Sequence, residues 1–304
     1  MKSRRNLNGR ISEKILFVLV IVIGFIVRSI SRKASTVFAH FFGDFVFYIA
    51  RYRVGIVLKN ISLAFPEKTP EEIKAIARNI YRNQGENIIE ILRIPKIKTA
   101  GDASRVMDLD PAAILSKSIG RNKGGVIVSA HFGNWELLAH CAGFLIHPHT
   151  IVVKSLKNKL LDREINRLRT LHGNRVIYDG TALREGLGIL RNGGILALLG
   201  DQSRPGDRFY SDFMGRSVPV ALGPAYFALK AGVPLFVILC RRNGDGRYTV
   251  DIEEIDTTEF GSSRADVENV TRRYTKIFER EIRRYPEEWF WLHDRWKRSQ
   301  NVKK

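Results

Sequence analysis

His131 directly follows a short apolar segment, and Glu136 stands five positions after it, in the sequence His-Phe-Gly-Asn-Trp-Glu. A carboxylate that keeps one imidazole nitrogen protonated leaves the other nitrogen free to act as a general base. We therefore predict that Glu136 orients His131 and that His131 deprotonates a weak acid such as a substrate hydroxyl, with no serine or cysteine nucleophile required. The competing interpretation is that His131 only packs or caps and that Glu136 is an ordinary helix-terminus carboxylate.

Strand-like and helix-like segments alternate around this motif. The predicted strands cover residues 125–130, 150–153, 175–178, 195–199, 235–240 and 248–252, and the predicted helices cover residues 135–145, 160–171, 181–190 and 222–231. This alternation predicts an α/β fold with a largely parallel central sheet flanked by helices. His131 would follow a buried strand, at the sheet edge where open α/β sheets bind ligands. Gly133 would permit a tight turn there, and Asn134 would cap the next helix.

The chain upstream of this alternation contains a well-marked helix. Thr69 is typical of an N-cap and Pro70 of the first helical position, so a helix is predicted from there to Leu92. Residues 60–66 are predicted to be an extended or turn segment, because Pro66 disfavours regular helix before it.

The first fifty residues contain an apolar run with basic residues on both sides. Residues 15–27 are apolar apart from Gly24. At about 1.5 Å per helical residue, this run is short for a hydrocarbon layer of about 30 Å. We predict a membrane-anchoring helix that either crosses the bilayer with snorkelling basic side chains or lies in its interface, in preference to a signal peptide or a core helix. Residues 37–50 are predicted to be an interfacial helix or a lipid-access wall.

The charge balance points to acidic partners. The chain of 304 residues contains 50 Lys and Arg against 31 Asp and Glu, a formal net charge of +19. Nucleic acid, an anionic lipid surface and an acidic carrier protein all suit this charge. The ordinary hydrophobic content of 44% argues against a disordered chain. Cys141 and Cys240 lie in apolar stretches, as buried reduced thiols do.

Four blocks of the sequence resemble one enzyme family. The segment from His131 to Glu136 resembles the histidine-x4-acid motif of the lysophospholipid acyltransferase superfamily. More narrowly, it resembles that of the bacterial lipid A biosynthesis acyltransferases, the late lauroyl or myristoyl enzymes. Residues 60–67 resemble the family's Asn-to-Ala-Phe-Pro-Glu segment, residues 200–202 its aspartate block, and residues 286–293 its closing Pro-Glu-Gln-aromatic-x-Trp-Leu-His signature. The blocks stand in the family's order along nearly the whole chain.

The resemblance implies a glycerol-3-phosphate acyltransferase-like fold and an inner-membrane enzyme with its catalytic domain on the cytoplasmic face. The donor would be an acyl chain on acyl carrier protein, the acceptor a hydroxyl of a lipid A precursor, and no metal or organic cofactor is implied. His131 would be the base and Glu136 its orienting partner. Arg169 would bind a phosphate or help hold the oxyanion, and Asp201 would order that arginine or the acceptor.

Other positions would contact the substrates under this interpretation. The further substrate-binding residues are Asn134, Gln202 and Arg204. The cations expected to meet a phosphorylated head group or the carrier protein are Lys154, Lys157, Lys159, Arg163, Arg167, Arg208 and Arg216. For each single cation the alternative is a solvated helix face. Where enterobacterial members often carry threonines before Gly223, this chain has Val-Ala-Leu, which leaves acceptor and chain-length specificity open.

Three regions are predicted: a membrane-anchor region over residues 1–50, an acyltransferase domain over 51–298 and a basic tail over 299–304. Two other functions stay open. One is the same chemistry on another glycolipid or lyso-lipid. The other is a non-catalytic basic protein that binds membrane or nucleic acid, which would explain the net charge but not the ordered motifs. Because no nucleic-acid-binding signature is recognisable, no nucleic-acid partner is predicted.

Overall fold

The computed structural model describes the backbone of residues 2–203 and 206–299, with their side chains except those of 2–10 and 113. The helices are α1 (Lys2–Ser29), α2 (Arg32–Phe45), α3 (Val54–Ala64), α4 (Pro70–Arg93), α5 (Ala100–Val106), α6 (Ala112–Lys117), α7 (Trp135–Leu145), α8 (Lys159–Thr170), α9 (Ala182–Arg191), α10 (Gly223–Ala231) and α11 (Arg264–Arg284). The strands are β1 (Met107–Asp108), β2 (Gly125–Ser129), β3 (Thr150–Val153), β4 (Arg175–Tyr178), β5 (Ile195–Leu199), β6 (Tyr210–Phe213), β7 (Arg216–Pro219), β8 (Leu235–Arg242) and β9 (Tyr248–Ile255).

Seven of the described strands form one sheet in the order β1-β9-β8-β2-β5-β3-β4. The five strands β2, β3, β4, β5 and β8 run parallel. β9 pairs antiparallel with β8, and β1 pairs parallel with β9. β6 and β7 form a separate antiparallel hairpin. The prediction of an α/β fold with a mostly parallel sheet flanked by helices is therefore confirmed.

Alternate residues of β2 face two different cores. Val126 and Val128 belong to the core that also contains residues of α3, α4, α10 and α11. Ile127 points to the opposite face and belongs to the core with residues of α7. Side chains alternate along a strand, so a strand covered by helices on both faces must be apolar throughout. This explains the uninterrupted apolar run before His131.

Local signals placed the start of α4 correctly but not the segment before it. The Thr69 side chain accepts a hydrogen bond from the backbone N–H of Glu72, and the Glu72 carboxylate accepts one from the Thr69 N–H, which confirms the predicted N-terminus. The prediction that residues 60–66 are extended or turn is wrong, because α3 continues to Ala64. Its Val57 and Ile61 are fully buried. Pro66 restricts only the residue directly before it, so the helix needs to end no earlier than that.

The helix α2 is apolar on the side that faces away from the protein. Its small residues Ser35, Ala39 and Gly43 are buried, and α2 packs along α4. Its large apolar residues lie outside, with Val37 and Phe41 70% and 72% exposed. Within residues 2–203 and 206–299, no helix combines the length and the apolar character needed to cross a membrane. The anchoring role and the division at residue 50 stay predictions, and residues 300–304 of the predicted basic tail lie outside the described residues.

Candidate active site

His131 and Asp201 lie at the same end of two neighbouring strands. β2 and β5 pair in parallel, with Ser129 directly opposite Leu199. His131 is two residues beyond Ser129, and Asp201 is two residues beyond Leu199. Because the two strands are in register, their extensions bring the imidazole and the carboxylate together at the carboxyl edge of the sheet, where open α/β folds place their ligand sites.

The imidazole of His131 and the carboxylate of Asp201 are hydrogen-bonded. His131 Nδ1 and Asp201 Oδ1 are 2.8 Å apart, and the indole Nε1 of Trp289 donates to Asp201 Oδ2 at 2.9 Å. Burial by itself would raise the pKa of Asp201, but the charge of His131 and the two hydrogen bonds outweigh it, so this pKa lies below its usual value. Asp201 is therefore a carboxylate that can only accept, and the Nδ1 of His131 carries the proton. The Nε2 nitrogen is left as the basic one.

Aromatic rings frame the His131 side chain. The ring centres of Trp135 and Phe290 lie 4.9 Å and 6.0 Å from the imidazole centre. The backbone N–H of Phe290 donates to the His131 carbonyl at 2.9 Å. The His131 side chain keeps 22% of its surface exposed, whereas the side chain of Asp201 keeps none. The base is thus partly accessible, and its partner is shielded from water.

The predicted pairing of Glu136 with His131 is not the pairing found in the structure. The Glu136 carboxylate accepts two hydrogen bonds from Arg169, at 2.8 Å from Nε and 2.5 Å from Nη2. Glu136 is the second residue of α7, and Arg169 lies near the end of α8. The carboxylate that holds His131 comes instead from the neighbouring strand, as Asp201. Of the two roles predicted for Asp201, ordering Arg169 does not match these contacts, and ordering the acceptor stays a prediction.

Three of the five N–H groups of Arg169 donate to protein groups. In addition to its two bonds with Glu136, its Nη1 donates to Asn166 Oδ1 at 2.8 Å. Burial alone would lower the pKa of Arg169, but the bonds and charge of Glu136 raise it, so the guanidinium is held in its charged form. A role of Arg169 towards a phosphate or an oxyanion stays a prediction.

Asn134 is a structural cap rather than a substrate-facing residue. Its Oδ1 accepts from the Leu137 N–H at 3.1 Å, which confirms the predicted cap of α7. Its Nδ2 donates to Glu90 at 3.0 Å, and the residue is 1% exposed. The substrate-binding role predicted for Asn134 is therefore not supported by its position, because both ends of the amide are used inside the protein.

The remaining predicted substrate-binding residues lie near the described site or outside the described chain. Gln202 is half-buried and directly follows Asp201, and Arg204 lies outside the described residues. The cations Lys154, Lys157, Lys159, Arg163, Arg167 and Arg208 are exposed or half-buried, and Arg216 is half-buried. The first five follow β3 and run along α8.

Sequence reasoning missed the polar residues behind the motif. Glu90, Arg242 and Tyr248 meet beneath Asn134. The only sequence signal was a glutamate amid the isoleucines of α4, in Ile-Ile-Glu-Ile. Partly or fully buried positions rarely hold an acidic residue unless it is paired.

A buried carboxylate that fixes the tautomer of an accessible histidine, at the carboxyl edge of a parallel sheet, defines the chain as an α/β protein equipped for general-base chemistry. A family model described as bacterial lipid A biosynthesis acyltransferase matches residues 4–298. The chain is 26% identical over 251 residues to the lipid A biosynthesis palmitoleoyltransferase of Escherichia coli, covering 81% of this chain and 79% of that protein.

Two further relatives extend the comparison. The lipid A biosynthesis acyltransferase of Haemophilus influenzae is 28% identical over 282 residues, covering 90% of this chain and 84% of that protein. The phosphatidylinositol mannoside acyltransferase of Mycolicibacterium smegmatis is 26% identical over 213 residues, covering 68% and 67%. The chain belongs to the bacterial lipid A biosynthesis acyltransferase family. This membership supports acyltransferase activity on a glycolipid.

Proposed function

We propose that this protein transfers a fatty acyl chain from acyl carrier protein to a hydroxyl group of a lipid A precursor. The observation that carries the proposal is the pairing of His131 with Asp201, at 2.8 Å between Nδ1 and Oδ1. In the neutral imidazole, this pairing places the proton on Nδ1 and leaves Nε2 free on a side chain that is partly exposed. A nitrogen so prepared suits the removal of a proton from an alcohol, which is otherwise too weak an acid to react at neutral pH.

The proposed reaction forms one ester bond and breaks one thioester bond. Nε2 of His131 takes the proton of the acceptor hydroxyl as the hydroxyl oxygen attacks the acyl carbonyl carbon. The tetrahedral intermediate collapses with loss of the carrier's thiolate, which receives the proton from Nε2. Asp201 holds the ring and stabilises the imidazolium while it exists. No group on the protein is acylated, so no nucleophilic serine or cysteine is required.

The cations of α8 and the loop before it support an acidic donor. Lys154, Lys157 and Lys159 are exposed cations of this surface. Arg167 is exposed as well, but its charge is already paired with Glu164 at 2.7 Å. A positive surface raises the rate at which an acidic carrier protein is captured and makes that rate fall with salt. We propose this surface as the docking site for the carrier.

The apolar outer faces of α1 and α2 support a membrane location. Phe25 on α1 and Phe41 on α2 are 68% and 72% exposed, and the exposed Arg32 and Lys33 lie at the start of α2. Amphipathic helices with basic flanks bind anionic lipid surfaces. We propose that this surface holds the enzyme on the cytoplasmic face of the inner membrane, where a lipid acceptor and a soluble carrier protein meet.

A second acceptor class follows from the relatives. The chain is also similar to phosphatidylinositol mannoside acyltransferases from mycobacteria. The same His131 chemistry would serve a mannoside hydroxyl equally well, because the base needs only an alcohol. The acceptor is therefore decided by the part of the site that holds the sugar.

The deciding experiment offers both acceptors to the purified protein. Wild-type protein is incubated with acyl carrier proteins loaded with chains of different length, and the lipid products are identified by mass spectrometry. Acylation of a lipid A intermediate, lost in His131→Ala, is the expected result. Acylation of the mannoside alone would keep the chemistry and replace the acceptor. No product with either lipid would overturn the proposal.

A further inference from the structure

A buried polar cluster lies directly behind the loop that carries His131. It consists of Glu90 and Asn87 on α4, Arg242 and Tyr248 on β8 and β9, and Asn134 at the start of α7. We call it the Glu90 cluster.

Glu90 is the common acceptor of the cluster. It accepts hydrogen bonds from Asn134 Nδ2 at 3.0 Å, from the Tyr248 hydroxyl at 2.6 Å and from Arg242 Nη1 at 2.8 Å. Arg32 Nη2, at the start of α2, also donates to it at 3.3 Å. Arg242 Nη2 donates to Asn87 Oδ1 at 3.0 Å, and Asn87 Nδ2 donates to the Gly133 carbonyl at 2.8 Å. Two successive residues of the motif, Gly133 and Asn134, are therefore held by the cluster.

Charged groups are costly to bury, so this cluster needs a physical reason. The side chains of Glu90 and Arg242 are only 14% and 9% exposed. Burial by itself would raise the pKa of Glu90. The charge and hydrogen bond of Arg242 outweigh burial, so this pKa lies below its usual value and Glu90 stays ionised. Replacing a buried ion pair with apolar residues is often neutral or stabilising. A contribution to stability alone is thus a weak explanation, and a contribution to geometry is a better one.

The cluster fixes the backbone that follows the imidazole. On one side, the Gly133 carbonyl is bound by Asn87 and the Asn134 amide by Glu90. On the other side, the Gly133 N–H donates to the Glu288 carbonyl at 2.9 Å. The amide of Asn134 is locked at both ends, because its Oδ1 caps Leu137 while its Nδ2 meets Glu90. The start of α7, and with it the direction of the preceding turn, is set from outside the site.

We propose that Glu90 is a positioning residue for the general base, acting through Asn134 to hold the turn from which His131 projects. The proposal rests on the proposed function, in which His131 takes the proton of the acceptor hydroxyl. Glu90 has no described contact with the imidazole, and a displacement of the reacting nitrogen of about 1 Å is enough to reduce turnover by about 10²-fold. The carboxylate would thus act on kcat without touching the substrate.

The test exchanges the donor and the acceptor of one hydrogen bond. In Glu90→Gln and in Asn134→Asp the bond is weakened or broken, because each change removes the match between a charged acceptor and an amide donor. In the double variant the introduced glutamine amide donates to the introduced aspartate carboxylate, and an aspartate caps a helix as well as an asparagine does. Each single variant is expected to lower kcat about tenfold or more with little change in KM, and the double variant to recover most of the loss.

The matched control is Glu86→Gln. Glu86 also binds Arg242, at 3.1 Å from Nη1, and pairs with His40 at 2.7 Å, but it has no described contact with residues 131–134. This variant is expected to change kcat less than about twofold. If Glu86→Gln lowers kcat as much as Glu90→Gln, or if the double variant shows the product of the two single losses, the positioning role is overturned.

A second readout does not depend on the substrate. The Nδ1 proton of His131, bonded to Asp201, is assigned in the NMR spectrum by its absence in His131→Ala. It is expected to broaden or disappear in Glu90→Gln and to return in the double variant, and an unchanged signal would count against the proposal.

Should Glu90→Gln fail to fold, Asn134→Ser keeps a capping hydroxyl while losing the bond to Glu90, and an unaltered kcat in that variant would equally overturn the proposal. If the wild-type protein shows the NMR signal but no acyl transfer, the proposed function is refuted. The NMR comparison would still test whether Glu90 positions His131.

Discussion

Asp201 decides which nitrogen of His131 is basic. Its side chain lies wholly buried, accepts from Trp289 on one oxygen and faces the imidazole with the other. A carboxylate so fixed can stabilise an imidazolium without becoming protonated itself. Glu136, which is closer in sequence, instead neutralises Arg169. At the scale of single residues, the site contains two acidic side chains with separate tasks.

Replacing Asp201 with asparagine should reduce turnover by about 10²- to 10⁴-fold while the protein stays folded. The amide would offer an N–H or a weaker acceptor to Nδ1, which favours the wrong tautomer and removes the charge that stabilises the imidazolium. Initial rates of acyl transfer measure this loss. Asp245→Asn, at an exposed turn between β8 and β9, serves as the control. Turnover within about threefold of wild type would contradict the assignment.

Glu288 should make the stability of the protein depend on pH. Burial raises the pKa of this carboxyl from 4.5 to about 7. Between these values the folded state holds a proton that the unfolded chain has released, so the contribution of this group to stability is complete below 4.5 and is lost as pH rises through about 7. Glu288→Gln imitates the protonated form and should gain stability relative to wild type on going from about pH 5 to about pH 8.

Denaturant titrations of wild type and Glu288→Gln at both pH values measure the difference in free energy of unfolding. A difference that stays constant between the two pH values would show that the carboxyl titrates normally. Glu287→Gln, at the neighbouring position, serves as a control for the change of net charge.

At the scale of elements, the turn between β2 and α7 determines where the base projects. Gly133 has φ +59° and lies against β8, where a Cβ atom would stand 1.9 Å from the Cys240 carbonyl oxygen. Only glycine permits both the left-handed backbone and the close approach. The N–H of Gly133 donates to the Glu288 carbonyl, and its carbonyl accepts from Asn87 on α4. This one residue therefore joins the turn before α7 to α4 and to the segment that contains Glu288.

Gly133→Ala should therefore destabilise the protein by more than about 2 kcal/mol, since the added methyl group would overlap the backbone of β8 at Cys240. Gly188→Ala is the matched control, because Gly188 lies within α9 and an added Cβ would meet nothing within 4 Å. That substitution should stabilise by about 0.5–1 kcal/mol through helix propensity. Thermal unfolding separates the two variants, and equal shifts in Tm would refute the explanation.

At the scale of the whole molecule, the large exposed apolar side chains and the cations lie on different helices. The outer faces of α1 and α2 and the π-helical turn Val46–Ala50 expose large apolar side chains, while cations run along α8. Large exposed apolar patches mark contact surfaces rather than ordinary solvent-facing surface. A bilayer on the first and an acidic protein on the second would allow both substrates to bind together.

Replacing Phe41 and Ile49 together with serine should lower binding to vesicles that contain anionic phospholipid by about tenfold or more. Fully burying each such side chain is worth about 1.5–3 kcal/mol, and about 1.4 kcal/mol is a factor of ten. Co-sedimentation with vesicles measures the effect. Leu183→Ser removes a side chain on α9 that is 58% exposed and lies outside this surface. An equal loss in that control would show that the surface is not the site of lipid contact.

The local structure of the chain follows from its sequence alone. The caps at Thr69 and Asn134, the helix of Pro70–Arg93 and the runs of β2, β3 and β5 depend on neighbours a few residues away, so they were predictable from spacing and residue type. It also marked His131 as the residue to examine, because the histidine, a glycine and a capping asparagine follow a buried strand and precede a helix. The local prediction that was wrong concerns residues 60–66, where the helix α3 continues to Ala64 before Pro66.

The partners of these residues depend instead on how distant parts of the chain pack together. β2 pairs with β5 rather than with β3, the next strand in the chain, so the acceptor for His131 lies 70 residues away instead of five. The same applies to the Glu90 cluster, whose members come from α4, α7, β8 and β9. Strand order and helix crossing depend on how apolar faces pack across the whole chain, and a short sequence window contains no information about that packing.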